Sequence, residues 1–426
     1  MTRHLLALST AALLASLVAS AQTPSTARPA CEPGNGGLKL PEGFCAFVAA
    51  DNLGAARHVT VASDGTVYVA IQNRGGDPAG VIALRDADRD GKLETMERVG
   101  DKSTTGLALR NGYLYTATVS SVERFKINGT QLRPGPAEVV VADLPVTIPH
   151  QDKGIAFDGK GGLYVSIGAP SNACQPQDRR PKVPGQDPCP LLENSGGIWR
   201  FDENKLGQKQ SDGKRFATGL RQMPALTYHD GALYTVMNNR DQLDYLWPEL
   251  FKPEDNQNRP AEVMYKVEEN SNFGWPFCFF DLQTNKLLLN PEYGGDGKAE
   301  GQCAKFTAPI ATFPAHWAPV DVMFYTGTQL PSKYRGGAFI AFHGSWNRAP
   351  FPQDGYNVTF QPFSAGKPSG TFEVFADGFA GAQAPRNPNQ AVYRADGVAQ
   401  APDGSLYIAE STKGRLWRVM YRGGGQ

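Results

Sequence analysis

The sequence predicts an all-β fold, a six-bladed β-propeller of four-stranded antiparallel blades with loop insertions. Three observations carry that expectation. A turn followed by an alternating strand recurs six times along the chain. Each copy is followed by a second alternating strand, most ending in an apolar-basic pattern. No convincing amphipathic stretch of ten or more residues separates them, as the crossover helices of a parallel α/β fold would require.

The six turn-strand copies begin at Ser63, Arg110, Gly159, His229, Tyr334 and Pro402. The first reads Ser63-Asp64-Gly65-Thr66-Val67-Tyr68-Val69 and the last Pro402-Asp403-Gly404-Ser405-Leu406-Tyr407-Ile408. Asp-Gly or Asn-Gly ahead of an apolar run supplies the positive φ of a tight hairpin. The partner strands begin at Gly80, Ser121, Gly197, Glu262, Tyr356 and Gly414. The 47 glycines and 32 prolines, spread over 426 residues, punctuate many short elements. Unequal spacing between copies places loop insertions on one face of the disc, where a propeller builds its site.

Residues 1–21 read as a signal peptide: Arg3 and His4, an apolar run from Leu5 to Val18, and a small-x-small cleavage signal at Ala19-Ser20-Ala21. Residues 22–40 form a Pro/Gly-rich lead, and 41–421 the propeller domain. The expected location is secreted or periplasmic, with no transmembrane span. Lysine plus arginine equals aspartate plus glutamate at 42 each, so no global field favours nucleic acid or an anionic membrane. Six cysteines fall as sequence-close couples: Cys31 and Cys45, Cys174 and Cys189, Cys278 and Cys303. They allow 15 connectivities, of which we expect nearest-neighbour pairing. The absence of any C-x-x-C argues against a zinc ribbon or a haem attachment site.

Several longer motifs carry a resemblance. They include Gly168-Ala169-Pro170-Ser171-Asn172-Ala173-Cys174-Gln175, Gly196-Gly197-Ile198-Trp199-Arg200-Phe201-Asp202, Ala217-Thr218-Gly219-Leu220-Arg221, and His343-Gly344-Ser345-Trp346-Asn347-Arg348-Ala349-Pro350. Over residues 40–421 the chain resembles the glucose/sorbosone dehydrogenase family, closest to its sorbosone dehydrogenase-like branch. The resemblance implies pyrroloquinoline quinone, calcium (Ca2+), and oxidation of a sugar, sugar aldehyde or polyol. An external electron acceptor such as a cytochrome or quinone is then expected.

Such a reaction needs a base for the hydroxyl proton, which a neutral histidine provides near pH 7. It needs cations for the cofactor's carboxylates, arginine being the best suited. The resemblance places the base at His150, before the Gly-x-Leu-Tyr-Val-Ser strand, and Arg221 beside the quinone in a catalytic and cofactor-binding role. It brings Asn239, Arg240 and Asp241 to the loop that reaches calcium and cofactor. Trp346, Asn347 and Arg348 form a polar-aromatic cluster after the fifth repeat, and Arg394 is a further cation for the cofactor. The family's glucose-oxidising branch has a lysine near the fifth blade, where Trp317-Ala318-Pro319 has none.

A separate motif is read from its spacing. Asp86-x-Asp88-x-Asp90-Gly91 followed by Glu97 satisfies a calcium-loop pattern. Its flanks read as strands, so it is a structural calcium site between strands rather than a helix–loop–helix hand. Two other functions stay open: a non-catalytic propeller that binds carbohydrate or protein, and a calcium-dependent lactone hydrolase.

Overall fold

The computed structural model describes residues 29–423 except 75, 77 and 130. The signal peptide expected at residues 1–21 lies outside the described residues, as does the start of the lead segment.

Six antiparallel blades follow one another around an axis. Blade 1 comprises Ala55–Val61, Val67–Gln72, Gly80–Arg85 and Thr95–Val99. Blade 2 comprises Thr104–Arg110, Tyr113–Thr118, Val122–Lys126 and Ala137–Val141. Blade 3 comprises Ile155–Phe157, Gly162–Ile167, Gly197–Asp202 and Lys214–Thr218, with Ser271–Asn272 added in parallel. Blade 4 comprises Gln222–His229, Ala232–Asn238, Glu262–Val267 and Ala311–Phe313. Blade 5 comprises Pro319–Phe324, Ala338–His343, Tyr356–Gln361 and Glu373–Ala376.

Blade 6 closes the ring from both ends of the chain. Ala395–Gln400, Leu406–Glu410 and Leu416–Tyr421 are completed by Phe44–Ala50, which pairs antiparallel with Leu416–Tyr421. Without that strand the last blade would present an unpaired outer edge. Phe44 docks by burying its ring edge-on against Tyr334 and Phe375, at 5.5 and 5.0 Å between centroids.

The local rules explain the strands. Asn111-Gly112 and Asp230-Gly231 both have positive φ at both positions, the geometry of a two-residue hairpin that keeps strand twist. Second strands such as Val67–Gln72 and Gly162–Ile167 are buried at every position. They have a partner strand on each edge and a neighbouring blade on each face, so they read as continuous apolar runs. First strands face the axis: residues from all six line one axial cavity of about 410 Å³.

The cysteines pair as nearest neighbours: Cys31–Cys45, Cys174–Cys189 and Cys278–Cys303. Each closes a loop short enough to contribute about 3 kcal/mol in the chain-entropy model. Two of them brace insertions, Cys174–Cys189 in blade 3 and Cys278–Cys303 in blade 4.

Candidate active site

In every blade the second and fourth strands run toward the same face, so the loops that follow them gather there. Loops after fourth strands deliver His150, Arg221 and His316; insertions after second strands deliver Arg179, Asp241 and Trp346. All six line one cavity of about 280 Å³.

His150 is buried, and its Nδ1 lies 2.5 Å from the Ala169 carbonyl oxygen. A carbonyl only accepts, so Nδ1 carries the proton and Nε2 keeps its lone pair. Nε2 has no hydrogen-bond partner among the described residues. Burial first, and then the Arg221 guanidinium, push the imidazole down to about 3, so it is neutral at pH 7. Gly168 permits this approach: a Cβ there would stand 2.5 Å from the His150 carbonyl oxygen.

Arg221 donates from a terminal nitrogen to Asp241 Oδ2 at 2.6 Å, and Arg179 donates to the same oxygen at 2.8 Å. Burial opposes the charge on Arg221, which Asp241 supports; the two guanidiniums hold Asp241 well below the ordinary carboxylate range despite its burial. Among the described residues Arg221 Nε, Gln222 Oε1 and Asn347 Oδ1 are buried without partners, and all three residues line this cavity. Unpaired buried polar atoms are uncommon, and their convergence marks a place for a polar ligand.

Several expected residues do meet here: His150, Arg221, Asn239, Asp241, Trp346 and Asn347. Trp346 is 45% exposed at the rim, with Arg179 over its ring at 5.8 Å. Others are corrected. Arg240 is buried in a bidentate pair with Glu292 and a 3.1 Å bond to Asn290 Oδ1; its charge is satisfied away from the cavity, so it braces an insertion instead of meeting a cofactor. Arg348 donates to the carbonyl oxygens of Pro352 and Ala315 and holds loop backbone. Arg394 donates to those of His343 and Gly344 at 2.9 and 2.8 Å, shaping the loop that carries Trp346. Both side-chain oxygens of Asp241, expected on the loop that reaches calcium, have partners within the protein. Its Oδ2 takes two guanidiniums and its Oδ1 the Asn347 amide at 3.4 Å.

The calcium loop is also revised. The converging carboxylates are Asp86, Asp88, Asp90 and Glu94, not Glu97. The chain enters a strand at Thr95, so Glu97 falls on the ladder opposite Ala83 and pairs with Arg133 at 3.1 Å. In a helical hand the twelfth position would wind back toward the loop's other carboxylates; here, with a strand following, the ninth, Glu94, lies among them. One Asp86 oxygen is buried without a partner among the described residues. This hairpin joins the third and fourth strands of blade 1 and shares no residue with the His150 cavity.

Sequence reading missed five contributors. Asn172 holds Asp241 from both sides, accepting its N–H at 2.9 Å and donating to its carbonyl oxygen at 3.0 Å. Glu262 accepts from the N–H groups of Asn239 at 2.7 Å and Ala318 at 3.2 Å, and burial pushes its carboxyl up to about 8. His316 has Nε2 at 2.6 Å from the Asn256 carbonyl oxygen. On the first strand of blade 1, Arg57 bridges Asp396 of blade 6 at 2.7 Å and Asp152, two residues after His150, at 2.6 Å. Arg74 faces that cluster, repelled by Arg57, and among the described residues it has no hydrogen-bond or ion-pair partner. Only the resemblance motif around Asn172 signalled any of these.

The family model TrAA12-like matches residues 38–422. A pyrroloquinoline quinone-dependent pyranose dehydrogenase of Coprinopsis cinerea is 26% identical over 262 residues, 53% of this chain and 35% of that protein. The holo pyrroloquinoline quinone domain of pyranose dehydrogenase from Coprinopsis cinerea superposes with a TM-score of 0.70 at 17% identity, covering 92% of this chain and 98% of that one. A calcium structure of the Trichoderma reesei carbohydrate-active enzyme of family AA12 superposes with a TM-score of 0.73 at 18% identity, covering 92% and 98%. These likenesses bear out the resemblance to soluble pyrroloquinoline quinone-dependent sugar dehydrogenases and do not single out the sorbosone-like branch. The chain belongs to the TrAA12-like family.

Proposed function

We propose that the protein is a secreted or periplasmic quinoprotein dehydrogenase that oxidises a sugar or related alcohol, with His150 as general base. The observation that carries this reading is a neutral histidine with a free Nε2 beside the unpartnered Nε of Arg221 in one buried cavity. The bound cofactor would supply a two-electron acceptor, chemistry that the side chains lack. Its quinone edge suits the orphaned Arg221 donor. Its carboxylates suit the free guanidinium of Arg74 beside Arg57 and Arg394, cations from the first and last blades. Those cations answer the absence of a lysine at Trp317-Ala318-Pro319.

In this reading His150 Nε2 accepts the hydroxyl proton of the substrate, while the bond to Ala169 keeps the ring aimed. Arg221, fixed by Asp241, holds an oxygen at the reacting centre through its free N–H. Trp346 at the rim offers an apolar face to a sugar ring. A lactone hydrolase would need carboxylates converging on an axial metal. Among the described residues the grouped carboxylates lie on the blade 1 hairpin instead. The disulfides suit an oxidising compartment.

The test is titration of the apo protein with pyrroloquinoline quinone, with and without calcium, followed by dye reduction over a panel of sugars and polyols. Saturable binding and cofactor-dependent reduction are expected. No binding at micromolar cofactor would leave a non-catalytic propeller as the better reading.

Calcium is assigned in this proposal to Asp86, Asp88, Asp90 and Glu94. At 100 times its Kd, calcium should stabilise the fold by about 2.7 kcal/mol. The rise in Tm should vanish in Asp86→Ala and Glu94→Ala and persist in Glu97→Ala. Loss of the shift in Glu97→Ala alone would restore the longer spacing.

A further inference from the structure

Lys153 has an unusual setting. It is completely buried, yet forms no ion pair among the described residues. Its Nζ donates to three backbone carbonyl oxygens: Val119 at 2.6 Å, Pro145 at 3.0 Å and Gln151 at 3.2 Å. Burial pushes the ammonium down to about 8, against the pull of Asp152, so it stays largely protonated at pH 7.

Those three carbonyls have a geometric meaning. Val119 directly follows the second strand of blade 2, Tyr113–Thr118. Pro145 and Gln151 bracket the segment that carries His150 from blade 2 into blade 3. The segment has little apolar anchorage of its own: Val146 and Ile148 are 51% and 68% exposed. Inside it, Thr147 accepts the His150 N–H at 2.6 Å and donates its hydroxyl to the His150 carbonyl at 2.8 Å. That local turn fixes its shape but does not tie it to the rest of the protein. The Ala169 carbonyl fixes the ring, and Leu144, whose N–H donates to the Ser120 carbonyl, fixes the segment's approach. The backbone on both sides of His150 converges on one ammonium.

We infer that Lys153 is a positioning residue that sets His150 by cross-linking both ends of its loop to blade 2 through three charge-assisted hydrogen bonds. A methionine or leucine would fill the space with less cost of burial. A charge with three donors is needed only if the carbonyls must be held in one arrangement. The consequence for catalysis rests on the reading of His150 as the base.

The proposal is tested with Lys153→Met and Lys153→Ala in the full chain. With Lys153→Met, kcat should fall about 10- to 100-fold, as expected for a misplaced reacting group, with KM nearly unchanged. In the apo protein, hydrogen exchange should rise in residues 145–151 and stay unchanged in Gly162–Ile167. Lys153→Ala leaves a cage of three carbonyl oxygens. n-Propylammonium should therefore restore turnover, while tetramethylammonium, charged but without N–H donors, should not. Unchanged loop exchange, or equal loosening of Gly162–Ile167, overturns the inference, as does rescue by both cations. If the wild-type protein oxidises no sugar with the cofactor, the base assignment fails, and the exchange measurement alone decides the anchoring role.

Discussion

Replacing His150 with alanine is expected to lower kcat by about 10²- to 10⁴-fold, the usual worth of a positioned general base. Cofactor affinity should stay within a few-fold, because binding is assigned to Arg221 and the cations around Arg74. His150→Asn should be nearly as inactive, since it keeps a donor to the Ala169 carbonyl but has no basic nitrogen. The pH profile adds a second readout. With the imidazole held down to about 3, the base should stay competent well below the ordinary histidine value. A fall in kcat centred near pH 6.5 would mean that the titrating base is a solvated histidine elsewhere. Stability has its own dependence. Between about pH 6.5 and 3 the unfolded chain binds a proton at this residue that the folded protein does not, so stability should decline as pH falls through that range. Turnover above a tenth of wild type in His150→Ala would remove the residue from the chemistry.

How far the sequence could be read depended on where each interaction is formed. The hairpins were legible because their cause is local: Asn111-Gly112 and Asp230-Gly231 carry the positive φ that the turn needs. Ring closure was not, because Phe44–Ala50 pairs with a strand about 370 residues away and nothing in its own pattern names that partner. His150, Arg221 and Trp346 were accessible through motifs. The fates of Arg240, Arg348 and Arg394 were hidden, because the same arginine serves a ligand, a carboxylate or a carbonyl according to which loop folds beside it. Arg57 and Asp396, which are 2.7 Å apart, are separated by 339 residues. Glu97 failed for a different reason. The twelve-residue spacing assumes that a helix follows the loop, and a strand shortens the return by one alternation and a half.

The Arg221–Asp241 pair should give the largest effect on stability. Asp241→Ala leaves the buried Arg221 and the half-buried Arg179 without their shared carboxylate. Breaking a buried pair in this way costs about 3–5 kcal/mol, because the remaining charge stays in a dry site. Arg221→Met should cost less, because Asp241 keeps Arg179. The double variant Arg221→Met/Asp241→Ala should recover part of the stability lost in Asp241→Ala, since one buried charge goes with its partner, yet remain inactive. Denaturant melts of the four proteins form a double-mutant cycle that separates the two contributions. The pH dependence has a definite sign. Asp241 is held below its ordinary value, so its stabilisation is present above about pH 4 and fades as the carboxyl is protonated. The acid decline of the wild type should therefore be shallower in Asp241→Asn. Activity returning together with stability in the double variant would show that the pair supports the fold alone. Stability returning without activity would place the Arg221 guanidinium at the reacting centre, where Asp241 holds it and His150 has its free nitrogen.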